Sequence, residues 1–237
     1  MSRRAGSRPT IPPIGPDELF RRVVAALGPY RESVVLVGGY ARDLYRLHPG
    51  WREPGLQAAT TNDVDLAVAD PLRVMGDGGL HAALLAQGLV PRFRLGLAHQ
   101  PVASAYFAAE NPAPRPTDPH VEFVTPLRGP DREEPVSHPQ RDELIASPLR
   151  YIDLLLSDPV VVTSLVHGRV CIPHPLHYLV QKTLIRPKRI EHGKQVKDQV
   201  DAFVVLHGLQ ADMERLVSAL GTVGEWRSAD CRLDGHR

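Results

Sequence analysis

The order of apolar and polar residues predicts an N-terminal half in which helices and strands alternate. Residues 17–27 carry apolar side chains at helical spacing and are followed by a glycine, which predicts a helix. Residues 33–37 (SVVLV) form a short apolar run between turn-forming residues, as is typical of a buried strand. A short helix is predicted after Gly39, a longer one at 79–87, and further strands at 64–68, 89–95, 102–107 and 120–124.

The pattern changes after residue 129, where a charged stretch at 131–140 is interpreted as a linker. We predict an α/β fold of the α+β kind, in which a small mixed-sheet domain is followed by a mainly helical C-terminal region. Its elements are a helix at 148–156, paired strands at 160–165 and 170–172, and helices at 175–185, 189–207 and 210–220. The predicted boundaries are a disordered arm at 1–15, the mixed-sheet domain at 16–130, the helical domain at 131–223 and a flexible tail at 224–237.

The predicted helix at 189–207 has an apolar arc and a charged arc on opposite sides. The charged arc is typical of a solvated face joined by i,i+4 ion pairs. An alternative is that this face closes over a triphosphate and that a lysine neutralises charge developing in the transition state. The apolar arc holds Val196, Val200, Phe203 and Val204, and the charged arc holds Lys194, Lys197, Asp198 and Asp201.

Composition narrows the class of protein without choosing a function. The net charge of +1 over 237 residues gives no overall field that would attract nucleic acid or a membrane. The two cysteines, Cys171 and Cys231, lack metal-type spacing and are too few for a disulfide scaffold, which favours a cytoplasmic protein. We find no apolar run typical of a signal peptide or a transmembrane helix, so no membrane partner is expected.

Three acidic residues predict a site for divalent metal ions. Asp63 and Asp65 stand at i and i+2 of a predicted strand, so their side chains leave it on the same face. Glu122 lies between apolar residues on another predicted strand and is the candidate third acid. Carboxylate oxygens are the ligands that Mg²⁺ prefers, and phosphoryl transfer commonly uses two such ions. The structural alternatives are a surface turn at Asp63 and Asp65 and an exposed strand acid at Glu122.

A pair of glycines predicts a phosphate site. Gly38 and Gly39 stand between the first buried strand and a short helix. Glycine permits a tight turn and a close approach of phosphate to the backbone, and a helix N-terminus favours anions. The following Arg42 and Asp43 are interpreted as an exposed pair on that helix. Residues 48–62 lack periodicity and are predicted to form a loop.

The strings VVLVGGYARDLY and TNDVDLAV resemble the pattern of the nucleotidyltransferase superfamily that includes DNA polymerase β. The later strings VEFVTPLRGP, YIDLLLSDPV, VCIPHPLHYLVQKTL and KQVKDQVDAF look like a prokaryotic branch of it. The resemblance implies a nucleotidyltransferase fold and a site for a metal-bound nucleoside triphosphate. Lys197 and Asp198 resemble a Lys-Asp element of toxin-type nucleotidyltransferases in toxin–antitoxin systems. By that resemblance Lys182 contacts phosphate, and Asp198 orients Lys182 or the acceptor.

The resemblance implies transfer of a nucleoside monophosphate from a triphosphate such as ATP to an acceptor hydroxyl, with release of pyrophosphate. Asp63 and Asp65 then bind two Mg²⁺ or Mn²⁺ ions, and Glu122 binds one of them. The acceptor stays open among tRNA, a protein and a small molecule, and Arg186 and Arg189 are candidates to bind a polyanionic one. The alternatives are a nucleotide-binding or toxin–antitoxin partner without turnover, and a tRNA 3′-end enzyme of the CCA-adding kind.

Overall fold

The computed structural model describes most of the chain outside its two ends. Of the predicted segments, the arm at 1–14, the linker at 131–140 and the tail at 224–237 lie outside the described residues. Within the predicted loop at 48–62, residues 56–60 also lie outside them. The described residues are 15–55, 61–75, 79–95, 101–111, 113–115, 117–128, 144–164, 168–213, 215 and 217–218.

One mixed sheet organises the described part of the chain, and its strands are short runs of apolar and β-branched residues. The central strand at Val34–Val37 is buried along its whole length, as expected of a strand covered on both faces. The strands are β1 (Val34–Val37), β2 (Asp63–Val68), β3 (Leu89–Leu95), β4 (Pro101–Ala108), β5 (His120–Pro126), β6 (Ser147–Leu149), β7 (Val160–Ser164) and β8 (Gly168–Ile172).

The sheet order is β3-β4-β5-β2-β1-β8-β7, and β6 pairs with β5 beside this path. Strands β2 and β5 are parallel, as are β1 and β8, whereas β1 and β2 are antiparallel. The α/β fold class is therefore confirmed, and β6, β7 and β8 extend the sheet with residues from beyond position 130. The division of the chain into two domains stays a prediction.

The helices cover the sheet with their apolar faces. Phe20 and Val24 of the first helix belong to the main core with Leu66 of β2, and a smaller cluster on the other face joins Ala67 to Leu155. The helices are α1 (Pro16–Leu27), α2 (Gly38–Leu44), α3 (Gly79–Ala86), α4 (Ile152–Leu156), α5 (Pro175–Ile185) and α6 (His192–Gly208).

The predicted helix at 148–156 is wrong in its first half. Residues Ser147–Leu149 form β6, which pairs in parallel with the end of β5. Pro148 disfavours helical geometry at the residue before it, and the free side of β5 offers hydrogen-bond partners to an extended segment. Helix α4 begins only after Tyr151, whose φ of 65° is left-handed.

The predicted orientation of α6 is also wrong for three of the four residues of its apolar arc, and only Val204 of that arc is buried. Val200 and Phe203 of the supposed core arc are 37% and 48% exposed, whereas Asp198 and Asp201 are 4% and 0% exposed. The predicted i,i+4 pairs with Lys194 and Lys197 do not form, because both aspartates bind cations of other helices. A wheel assumes that apolar residues face the core, and here buried counter-charges reverse that rule.

This orientation predicts that removing an aspartate of α6 destabilises the protein more than removing a phenylalanine of the same helix. Replacing Asp201 by Ala leaves buried Arg42 and Lys182 without their shared buried carboxylate and Arg42 with only the half-exposed Asp43, which is expected to cost about 3–5 kcal/mol of unfolding free energy. Replacing the exposed Phe203 by Ala is expected to cost less than about 0.5 kcal/mol. Urea unfolding of both variants measures the two values, and a larger loss for Phe203→Ala would contradict the orientation.

Candidate active site

Strand register brings the three predicted acids together. Asp65 of β2 is the register partner of Glu122 of β5, and Asp63 is the partner of His120. Neighbouring strands lie about 4.8 Å apart, so side chains of register partners on one face are in contact range. Because Val64 between the two aspartates is fully buried, Asp63 and Asp65 both point to the opposite, open face.

The glycine turn lies directly against this acidic cluster. Val37, the last residue of β1, is the register partner of Asp65, so Gly38 follows at the level of the carboxylates. Gly38 has a φ of 65°, and a Cβ built on it would collide with Oδ2 of Asp65. Glycine is therefore required for both the backbone angle and the space. The hydroxyl of Tyr178 donates a hydrogen bond of 3.1 Å to the Gly38 carbonyl and fixes the turn against α5.

Crowding of the acids changes the protonation of Asp65. Burial, reinforced by the charges of Glu122 and Asp63, raises the pKa of the Asp65 carboxyl to about 6. The charges of Lys182 and Lys197 act on Asp65 in the opposite direction. Both predicted lysines therefore lie within electrostatic reach of the acids, although their sequence positions are far away.

The site includes a histidine that the sequence interpretation missed. The ring of His120 lies between two of the acids, with Nδ1 3.2 Å from Asp63 and Nε2 3.3 Å from Glu122. Burial opposes a charge on this ring, but its pairing with Glu122, a backbone carbonyl and the charge of Asp63 outweigh that cost and raise the pKa of His120 to about 9. His120 is thus an imidazolium ion at neutral pH. The alternation His120-x-Glu122 on one strand face was the available signal.

A cluster of buried ion pairs stands beside the acidic face. Nζ of Lys182 lies 2.6 Å from Asp198 and 3.4 Å from Asp201, and all three side chains are buried. Asp198 also binds Arg189 at 3.0 Å. The predicted role of Asp198 in orienting Lys182 fits this contact, and Lys197 is the half-buried cation of the same helix.

The interpretation of Arg42 as an exposed residue is wrong. Arg42 is 2% exposed, and its guanidinium donates to Asp201 at 2.6 Å and to Asp43 at 2.8 Å. Arg42 therefore joins α2, which begins with the glycine turn, to α6. No local pattern predicts this burial, because the buried carboxylate that pairs with Arg42 lies 159 positions away in the chain.

The donor set fits a hard divalent ion in its chemistry. Asp63, Asp65 and Glu122 offer carboxylate oxygens, and burial together with the charges of Glu122 and Asp63 raises the pKa of Asp65. Among the described residues, however, no three His, Cys, Asp or Glu side chains already converge at metal-binding distances. The ring of His120 occupies the space between Asp63 and Glu122 and contacts both. An ion would have to replace these two contacts.

Comparison with known proteins gives one match. Residues 20–218 match the model of a family described as nucleotidyltransferase. No curated protein and no solved structure matches the chain. Among the described residues, every helix is too short or too polar to cross a membrane.

The raised pKa of Asp65 predicts that replacing this residue stabilises the fold in a pH-dependent way. Its folded pKa lies above the unfolded value near 3.8, so its ionisation costs stability as the pH rises through 4 to 6, and the full cost persists above that range. Without metal ions, Asp65→Asn is expected to raise the free energy of unfolding by roughly 1–2 kcal/mol at pH 7.5 and by almost nothing at pH 4. Urea unfolding in a chelator checks this, with the exposed Asp153→Asn as control. A stabilisation by Asp65→Asn that does not change with pH would contradict the raised pKa of Asp65.

The glycine turn predicts a steric effect that has a matched control. Gly38→Ala forces a Cβ into the Asp65 carboxylate, whereas Gly55→Ala, at a φ of 66° against 65°, meets no atom within 4 Å. Both variants carry the same left-handed strain of about 1–2 kcal/mol, and only the first disturbs the acids. We expect Gly38→Ala to lower the affinity for Mn²⁺-ATP at least tenfold by calorimetry. Equal affinities of the two variants would exclude a role of this turn in binding.

Proposed function

The chain belongs to the nucleotidyltransferase family, which implies a nucleotide substrate, and from this premise we propose a metal-dependent transfer of a nucleoside monophosphate to an acceptor hydroxyl. The observation that carries the proposal is the register of β2 and β5. It sets Glu122 beside Asp65 on the open face, with Asp63 two residues away and Gly38 in contact.

The proposed ligands of the metal ions are Asp63, Asp65 and Glu122. Asp63 and Asp65 would hold two Mg²⁺ or Mn²⁺ ions, and Glu122 would hold one of them. When bound, such ions neutralise charge on the triphosphate and lower the pKa of the attacking hydroxyl. The positive ring of His120 holds Asp63 and Glu122 in the absence of metal, so the acids tolerate their proximity before substrate arrives.

The glycine turn and Glu122 have separate proposed roles in the transfer. The backbone at Gly38 and Gly39 would lie along the phosphates, since neither carries a side chain that would block their approach. The acceptor oxygen attacks the α-phosphorus in line, its proton leaves with the help of Glu122, and the bond to the bridging oxygen breaks to release pyrophosphate.

Of the two lysines, Lys197 is better suited to contact the triphosphate. Lys182 is already held between Asp198 and Asp201. Lys197 makes no ion pair with any other described residue, and its charge reaches Asp65. We infer that Lys182 positions α5 and α6 and adds a partly compensated charge, whereas Lys197 binds phosphate directly.

The acceptor stays a proposal among tRNA, a protein hydroxyl and a small molecule. The exposed Arg186 and the half-buried Arg189 lie at the end of α5, but Asp198 already compensates Arg189. A toxin role and a cytoplasmic location remain expectations of the same kind.

The proposed reaction predicts selective loss of transfer. Asp63→Ala, Asp65→Ala and Glu122→Ala each remove a metal ligand, which is expected to cost several kcal/mol of transition-state stabilisation and lower the rate at least about 100-fold. The assay supplies each α-labelled nucleoside triphosphate with Mg²⁺ and bulk tRNA, cell protein or small-molecule hydroxyls. The exposed Asp153→Ala is the control and should keep the wild-type rate. Undiminished transfer by Asp63→Ala would refute the assignment.

A second function is favoured by the contacts of His120 with Asp63 and Glu122. If this imidazolium replaces metal permanently, the protein binds nucleotide without turnover. Calorimetry with ATP distinguishes the two functions: binding that requires Mn²⁺ supports transfer, and equally tight binding in a chelator, without release of pyrophosphate, supports a binding module.

A further inference from the structure

The outward face of α6 carries a continuous apolar stripe. Val196, Val200, Phe203 and Leu206 follow each other at three- and four-residue spacing and are 37–48% exposed. Such side chains belong on one side of a helix, and in a monomeric protein that side normally faces the core. Here the core side of α6 holds Asp198 and Asp201 beside Val204 and Val205, and the stripe is left to solvent. Contiguous exposed apolar surface of this kind marks interaction sites.

The stripe forms one wall of a groove between two helices. A cavity of about 770 Å³ runs between α5 and α6 and is open to solvent through exposed lining residues. Its α5 side presents Leu179, Thr183 and Arg186, and its α6 side presents Gln199 and Phe203. Both sets recur every three or four residues, so this surface, the α5–α6 groove, follows the length of the helices.

The free charge at this groove is positive. Arg186 and Lys188 are exposed just beyond the end of α5, and neither makes an ion pair with another described residue. The Arg186 guanidinium donates hydrogen bonds to the side-chain oxygen of Gln199, which carries no charge to compensate it. The acid that lines the floor, Asp198, is compensated by Lys182 and Arg189. An occupant that is apolar in its centre and acidic at one end would therefore complement the groove.

We propose that the α5–α6 groove docks an amphipathic helix of a partner polypeptide, with apolar side chains against Phe203 and Leu206 and acidic side chains against Arg186 and Lys188. An apolar channel between two helices suits a third helix that inserts side chains at i, i+3 or i+4, and i+7. The groove shares Lys182 and Asp198 of its floor with the ion-pair cluster beside the acidic face, but the proposal does not depend on the transfer reaction.

Two other occupants fit less well. A second copy of the chain would bring the same unpaired cations to an isologous interface, where like charges oppose association. Single-stranded RNA prefers several aromatic platforms, whereas the groove offers Phe203 among aliphatic side chains.

The test is selection of peptides on the full-length protein. A displayed library of 20-residue helical peptides, random on one face, is enriched on the wild type, and the peptides obtained are synthesised and titrated by fluorescence anisotropy. We expect sequences with an apolar stripe and one or more Asp or Glu residues at one end. Phe203→Ser and Arg186→Glu are each expected to weaken their binding at least tenfold.

Matched variants separate the groove from general surface effects. Phe93→Ser removes a phenylalanine that is 55% exposed on β3, and Arg52→Glu reverses an exposed arginine outside the groove. Both should bind the selected peptides as the wild type does. No enrichment, equal binding by Phe203→Ser, or an absence of acids among the selected peptides would overturn the proposal.

Three further outcomes would assign the groove to another occupant and overturn the proposal. One is a dimer in sedimentation that Phe203→Ser dissociates. Another is tighter binding of a single-stranded RNA 20-mer than of any peptide, again lost in Phe203→Ser. The last is protection of residues 219–237 from hydrogen exchange that the same substitution abolishes, which would identify the chain's own C-terminal segment as the occupant.

Discussion

The repulsion among three carboxylates on one sheet face is the constraint to which the rest of the site responds. Parallel pairing of β2 and β5 forces Asp65 and Glu122 into contact range, and Asp63 stands two residues away on the same face. Burial of Asp65, reinforced by the charges of Glu122 and Asp63, raises the pKa of its carboxyl to about 6. His120 offsets part of the repulsion, and Lys182 and Lys197 add positive charge from the C-terminal helices. A face that costs stability in this way is typical of a functional site.

A second group of ion pairs joins α2 to the C-terminal helices α5 and α6. Arg42 extends from the helix after the glycine turn to Asp201 of α6, and Asp201 also contacts Lys182 of α5. Tyr178 adds a hydrogen bond from α5 to the Gly38 carbonyl. The turn is therefore held by both C-terminal helices, and Lys182 is held in place by Asp198 and Asp201. Because Asp198 and Asp201 are buried in these ion pairs, most of the apolar stripe of α6 faces outward. The same ion pairs therefore hold the site and leave the stripe exposed.

Local patterns predicted the elements of the fold better than their orientation. The apolar run of β1, the alternation of β2 and the helix of α5 depend on neighbouring residues, and these predictions agree with the structure. The face of α6 depends on Arg42 and Lys182, which no pattern within residues 192–208 reveals. The same limit applied to β6, since its pairing with β5 joins positions 23 residues apart (147 − 124).

The site followed a similar division. Strand alternation and the glycine pair are local signals, so the sequence could predict that Asp63, Asp65 and Gly38 lie together. Glu122 could be placed beside them because its strand could be predicted. His120 was missed although it shares the face of Glu122, because a histidine on a strand has many roles. The central claim is that these acids hold divalent ions, and its most direct test is a crystal structure with Mn²⁺ and a non-hydrolysable ATP analogue. The account predicts two anomalous peaks about 4 Å apart, bound by Asp63, Asp65 and Glu122, with His120 displaced from two of them. Nucleotide bound elsewhere, or at this face with His120 still in place and no Mn²⁺ peak, would contradict it.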